Sequence, residues 1–356
     1  MHKRWLMGTA CVVFVFITVG FYWFSRNSHS TGVKKSIYPF DSRIVAKDNR
    51  FSFKLFKEVA KNAGDENVFI SPLSVATALA LAYNGSAGET KSAMEGTLEL
   101  QGMSLAEVNK ANSALIASLE EDFDDPGFRV SIANSVWISD RIPIRQDFAR
   151  NLQDFYWAKI SELDFTDPGA EKVINAWVKC ETQGRIDSAI EEINPDDVAI
   201  VVNATYFNAN WLSEFPESMT RDREFFLAGG GKKMHPMMHQ SDEFMYYKGD
   251  GFQAVCLPYR RHFSMYVLLP DRASNLGQFF ILLNSDNWNN WMSGFEMREG
   301  EIALPRFKFG CNFQMRDALS AVGMEIAFDV AKADFSNLTS NTQSNLGEVI
   351  HKTFVT

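Results

Sequence analysis

The first half of the chain carries the apolar spacing of amphipathic helices. Apolar residues recur three and four positions apart, which places them on one helix face. Residues 73–83 are rich in Ala and Leu on all sides, as a buried helix is, and Ser71 with Pro72 before them suits a helix start. The spacing predicts further helices over residues 51–59, 105–119, 146–156 and 171–181.

Alternating or continuous apolar runs predict strands, which dominate the second half. The earlier strands are expected at 68–70, 128–138 and 159–165. The later strands are expected at 200–207, 244–248, 253–258, 265–269 and 301–309, with helices at 276–283 and 313–322. Helices first and mainly antiparallel strands afterwards describe a single large α+β domain rather than alternating βαβ units.

The composition is that of a folded, acidic protein. Apolar residues make up 46% of the chain, enough for a substantial core. A formal net charge of −9 argues against a nucleic-acid partner, which needs clustered Lys and Arg. The 4 cysteines are too scattered for a disulfide scaffold or a CxxC metal site, and no spacing of Ser, His and Asp selects a hydrolase triad. We therefore expect no cofactor, no metal and no enzymatic activity.

The amino terminus is predicted to direct the protein to a membrane. Residues 5–24 carry no charge and follow Lys3 and Arg4, and about twenty apolar residues in a helix match a bilayer core. Two interpretations stay open, an uncleaved transmembrane signal anchor or a cleaved signal peptide. Both place the body in an extracellular or periplasmic location, either secreted or anchored to the membrane. The expected order is a signal segment, a polar tether and a folded domain, at residues 1–24, 25–48 and 49–356.

Several short segments resemble sequences of one family, the serpins, and they follow one another in the order that the family has. Asn67-Val-Phe-Ile-Ser-Pro-Leu-Ser-Val75 resembles the family's strand-to-helix signature, and Asn203-Ala-Thr-Tyr-Phe-Asn-Ala-Asn-Trp211 resembles its central strand. Further matches follow at 234–240, 304–309, 333–336 and 349–352. The resemblance implies three mainly antiparallel β-sheets with a helix cluster, and a reactive loop near the carboxyl end.

The resemblance also implies an inhibitory mechanism and the residues that serve it. In the family, a protease attacks the reactive loop, which then inserts as a new strand into the central sheet. The strands that part would lie over a polar cluster, the shutter, while Trp211 would mark the breach, where the loop first enters. The implied shutter residues are Ser71, Ser74, Asn203 and His351. Taken alone, Ser71 also fits a helix cap and His351 a core histidine.

The match ends before the segments that carry inhibition in the family. Relatives continue from the strand at 350–352 into a hinge, the reactive loop and closing strands, whereas this sequence ends at Thr356. We therefore expect a truncated domain whose reactive bond lies beyond Thr356. The expected function is extracytoplasmic inhibition of serine or cysteine endopeptidases, and the alternative is a non-inhibitory binding protein or an inactive remnant. Residues 105–122 carry one Lys and four acidic residues, which argues against a heparin-type polyanion.

Overall fold

A computed structural model describes residues 12–14, 36–64, 66–120, 127–227, 231–260, 263–271, 276–340, 344–347 and 349–355. The α-helices are α1 Ser42–Ala63, α2 Pro72–Gly85, α3 Gly88–Thr97, α4 Leu105–Leu119, α5 Gln146–Tyr156, α6 Ala170–Glu181, α7 Leu276–Leu282, α8 Ser285–Met292 and α9 Arg316–Leu319. Shorter helical segments are the 3₁₀ turns Glu217–Met219 and Glu325–Phe328 and the π-helical Ser320–Met324. The strands are β1 Val12–Phe14, β2 Phe128–Ser139, β3 Lys159–Leu163, β4 Ala199–Ala209, β5 Arg221–Phe226, β6 Lys232–Lys248, β7 Phe252–Pro258, β8 Ser264–Pro270, β9 Glu296–Pro305, β10 Phe309–Gln314 and β11 Ile350–Val355.

The described strands form three sheets. The largest runs in the order β1-β8-β7-β6-β5, with β9 also paired to β6, and the others are β3-β2-β4 and β10-β11. The pair β2–β3 is parallel, and the other described pairs are antiparallel. The predicted α+β class, with mainly antiparallel sheets and a helix cluster, is confirmed.

Strand β4 faces two different environments. Its Val202 and Ala204 pack in a small core with Ile174 and Val178 of α6. Because side chains alternate along a strand, Asn203 and its neighbours two residues away point to the opposite face. Helix α2 packs against β4 and contributes to that side of the sheet.

Helix α2 starts where the sequence predicts it. The Ser71 side chain accepts a hydrogen bond from the Ser74 N–H, and Pro72 occupies the first turn. The helix ends at Gly85, where a Cβ would lie 2.8 Å from the Cβ of Leu338. Close packing against that side chain explains why the residue is glycine.

Some predicted boundaries differ from the structure. Helix α1 begins at Ser42 rather than near Asn49, so the end of the predicted tether is helical. Residues 68–70 are not in a strand; they lead into the α2 cap. The helix expected at 313–322 begins at Arg316, because the residues before it pair as β10 with β11, and it continues past α9 as a π-helical segment over Ser320–Met324.

The predicted signal segment lies mostly outside the described residues. Its described part, Val12–Phe14, pairs as β1 with β8 instead of forming part of a helix. Within the described ranges, no helix is long and apolar enough to cross a membrane.

Candidate functional site at the shutter and breach

Two serines at the start of α2 form the centre of a polar cluster. The Oγ atoms of Ser71 and Ser74 lie 2.7 Å apart. Ser74 is only 4% exposed, so its hydroxyl needs protein partners. Its second contact is the Oγ1 atom of Thr205 on β4, at 2.7 Å.

Asn203 joins this cluster through Thr205. The Thr205 hydroxyl donates to Oδ1 of Asn203 at 3.0 Å, and both residues lie on the same face of β4. Asn203 was predicted as a shutter residue, whereas Thr205 was missed. The signal was available, because Thr205 stands two positions after Asn203 in a strand.

A second missed residue, Asn134, lies beside Asn203. The two are cross-strand partners on β2 and β4, and Nδ2 of Asn203 donates to Oδ1 of Asn134 at 2.7 Å. Asn134 is 2% exposed, and its own Nδ2 donates to the main-chain O of Tyr156 at 3.0 Å. The sequence shows only one Asn in an apolar strand, because nothing local indicates the register that pairs it with Asn203.

His351 reaches the cluster from β11. Its Nε2 atom accepts the main-chain N–H of Ser71 at 2.8 Å, which requires a neutral ring protonated at Nδ1. The side chain is 7% exposed, and burial lowers its pKa to about 4. His351 is therefore an uncharged acceptor at neutral pH.

The four predicted shutter residues thus lie in one cluster, which we call the shutter cluster: Ser71, Ser74, Asn134, Asn203, Thr205 and His351. It connects the start of α2 to β4 and to β11. Within the described residues, β4 belongs to the sheet β3-β2-β4 and β11 pairs with β10, with no ladder between the two. The cluster therefore bridges two separate sheets at α2.

Trp211 lies just beyond the end of β4, in an aromatic group. Its ring stacks on Tyr259 with centroids 4.4 Å apart and an interplanar angle of 13°, and it meets the edge of Phe215 at 5.8 Å. Trp211 and Tyr259 also form an antiparallel bridge. The Trp side chain is half-buried, so it covers this end of the sheet while remaining accessible.

Replacing Trp211 by Ala is expected to destabilise the protein by at least about 1 kcal/mol, since aromatic pairs contribute beyond their buried area. Urea unfolding followed by circular dichroism measures this change. Trp211→Phe serves as the control, because it keeps a ring against Tyr259 and should lose less. Equal losses for Phe and Ala would show that the stacking is not the cause.

The histidines on either side of Pro236 each contact a main-chain oxygen. His235 contacts the main-chain O of Arg306, and His239 contacts that of Met237. In the part of the chain that the structure describes, no three His, Cys, Asp or Glu side chains converge as metal ligands.

The family follows from a comparison with known sequences. The family model for serpins, described as serine protease inhibitors, matches residues 46–356. The chain belongs to the serpin family. An uncharacterised serpin-like protein of Thermococcus kodakarensis is 34% identical over 318 residues, covering 88% of this chain and 72% of that protein. Human serpin B7 is 30% identical over 326 residues, covering 88% of this chain and 85% of that protein.

Solved structures show the same fold. The native crystal structure of tengpin, a thermophilic serpin, matches with a TM-score of 0.83 and 28% identity, covering 90% of this chain and 82% of tengpin. Tengpin in its latent state matches with a TM-score of 0.79 and 29% identity, covering 89% of this chain and 85% of that one. Membership of this family supports the function of a protease inhibitor rather than that of an enzyme.

Proposed function

We propose that the protein inhibits serine endopeptidases outside the cytosol, by taking a reactive loop into its central sheet as an additional strand. Cysteine endopeptidases are the second class of target. The uncharged segment at 5–24 supports export, and it provides a membrane anchor if it is not cleaved. Family membership supports inhibition in general, while the strand insertion rests on the shutter cluster.

The observation that carries this proposal is the position of the shutter cluster between two sheets. An edge strand presents unpaired N–H and C=O groups, so a strand entering between β4 and β11 can pair with both. The groups beneath that junction are small hydroxyls, amides and one imidazole. Such groups can exchange hydrogen-bond partners as the strands move apart, whereas an aliphatic core offers one packing arrangement.

The chemistry of the trap belongs to the target protease. Its nucleophile attacks the scissile carbonyl of the loop, and the peptide nitrogen leaves as an amine after gaining a proton. The acyl-enzyme remains bonded to the amino-terminal part of the loop. Insertion of that part into the sheet then carries the protease away from the geometry that hydrolysis of the ester requires.

The experiment is to incubate the protein, as its gene encodes it, with trypsin-like, chymotrypsin-like, elastase-like and papain-like enzymes. We expect a one-to-one complex that survives denaturing detergent with at least one of them, together with loss of that enzyme's activity. The same enzyme with its nucleophile chemically blocked is the control, since it cannot form the acyl bond.

The opposite result favours the alternative function. If every enzyme keeps its activity and no detergent-stable complex forms, the protein is not an inhibitor of this type. It would then be a non-inhibitory serpin-fold protein, either a binding protein or an inactive remnant.

A further inference from the structure

The shutter cluster continues beyond the predicted residues to a helix end. Tyr156 is the last residue of α5, and Trp157 after it has φ 48°, which ends the helix. The last carbonyl groups of a helix lack partners within it. The Tyr156 carbonyl instead accepts Nδ2–H of Asn134 at 3.0 Å.

This contact fixes which way the Asn134 amide points. A carbonyl oxygen only accepts hydrogen bonds, so the amide nitrogen of Asn134 must face Tyr156 and its oxygen must face β4. Asn203 must then present its own nitrogen to that oxygen, which it does at 2.7 Å. One main-chain carbonyl therefore determines the orientation of two side-chain amides.

The same logic continues to α2. With its nitrogen used, Asn203 offers Oδ1 as an acceptor, so the Thr205 hydroxyl donates to it at 3.0 Å. The Thr205 oxygen must then accept the Ser74 hydroxyl proton at 2.7 Å. Ser74 in turn accepts from the Ser71 hydroxyl at 2.7 Å. Each donor in this series of hydrogen bonds therefore has one direction, which is set by the Tyr156 carbonyl and passed on through Asn134.

We propose that Asn134 is a positioning residue of the shutter, which orders the hydrogen bonds from Tyr156 to Ser71 and so keeps β4 in place until a strand enters. The role of the ordered chain in strand insertion rests on the proposed function. Without Asn134, the Asn203 amide can take either orientation, and the hydroxyls beyond it lose their fixed direction. The fixed direction holds β4 on α2, so its loss makes opening at β4 more frequent.

A local role predicts something different. If Asn134 only satisfies the Tyr156 carbonyl, its removal weakens the end of α5 and has no energetic link to Ser74. Residues without shared partners have additive effects, whereas members of one hydrogen-bond network do not. A double-mutant cycle therefore separates the two roles.

The experiment compares Asn134→Ala, Ser74→Ala and the double variant by native-state hydrogen exchange of the β4 amides. Each single substitution should speed exchange. The double variant should exchange more slowly than the product of the two single effects predicts, by about fivefold or more. The reason is that the second substitution acts on a series of hydrogen bonds that the first has already interrupted. If Asn134→Ala does not yield soluble protein, Asn134→Ser replaces it, since its short side chain cannot span Asn203 and Tyr156.

The matched control is Asn175→Ala combined with Ser74→Ala. Asn175 is a half-buried amide on α6 that donates to the Ile190 carbonyl and accepts the main-chain N–H groups of Ala189 and Ile190, so these partners lie outside the chain of bonds from Asn134 to Ser71. Its effect should multiply with that of Ser74→Ala within about twofold. The same multiplicative result for Asn134 would overturn the proposal. This cycle measures the coupling between Asn134 and Ser74 and does not measure protease inhibition. The coupling can therefore be found in a protein that inhibits no protease, and it can be absent from a protein that does inhibit one, so the two proposals fail separately.

Discussion

Replacing Asn203 by Leu is expected to lower the free energy of unfolding by about 1–3 kcal/mol through the buried Asn134 oxygen, which is left unpaired, with a smaller further loss at the half-buried Thr205 hydroxyl. The Asn134 oxygen loses its donor and the Thr205 hydroxyl loses its acceptor. Leu has a similar size, so the change removes hydrogen bonds without opening a cavity. Because the lost contacts hold β4 against β2 and α2, the variant should also polymerise more readily on heating.

Thermal unfolding and native gel electrophoresis of heated samples measure both effects. Asn208→Leu is the matched control, since Asn208 is an exposed residue on the same strand whose side-chain amide donates to the Tyr206 hydroxyl rather than to the shutter cluster. That control should unfold close to the parent protein. An Asn203→Leu protein as stable and as monomeric as its parent would show that Asn203 does not support the sheet.

The elements that the sequence predicts best are those with strong local patterns. Helices α4 and α5 begin and end at the predicted residues, because a helix face repeats within one stretch of chain. The α2 start is equally local, since the cap, Pro72 and the buried run stand together. In contrast, residues 68–70 have a strand composition but no partner strand in the described structure. Strand formation depends on a second segment that the local pattern does not contain.

The candidate site divides in the same way. The resemblance to serpins led to Ser71, Ser74, Asn203 and His351, and the structure brings these four into one cluster. The resemblance could not lead to Asn134. The contacts of that residue depend on its cross-strand register with Asn203 and on the position of the Tyr156 carbonyl at the end of α5. Long-range pairing is set by the whole fold, so a polar residue in an apolar strand gains its meaning only in three dimensions.

Lowering the pH from 7 to 5 is expected to cost about 2 kcal/mol of stability through His351 alone. Burial lowers the pKa of His351 to about 4 in the folded protein, whereas the ordinary value is 6.5. Above pH 6.5 the ring is neutral in both states, and the stability is fully present. As the pH falls through 6.5, His351 binds a proton in the unfolded chain but not in the folded chain. The free energy of unfolding therefore decreases until the pH reaches about 4, where the folded chain binds the proton as well.

The measurement is urea unfolding of the parent and of His351→Gln between pH 7 and pH 5. Gln retains an acceptor oxygen for the Ser71 N–H but does not titrate, and the carboxylates that titrate at low pH are common to both proteins. The parent should therefore lose stability more steeply than the variant, by about 2 kcal/mol over this interval. Parallel curves would mean that His351 titrates with the same pKa in the folded and the unfolded chain. Burial would then not hold the ring neutral, and the proposed acceptor role of His351 toward the Ser71 N–H would not depend on pH in this range.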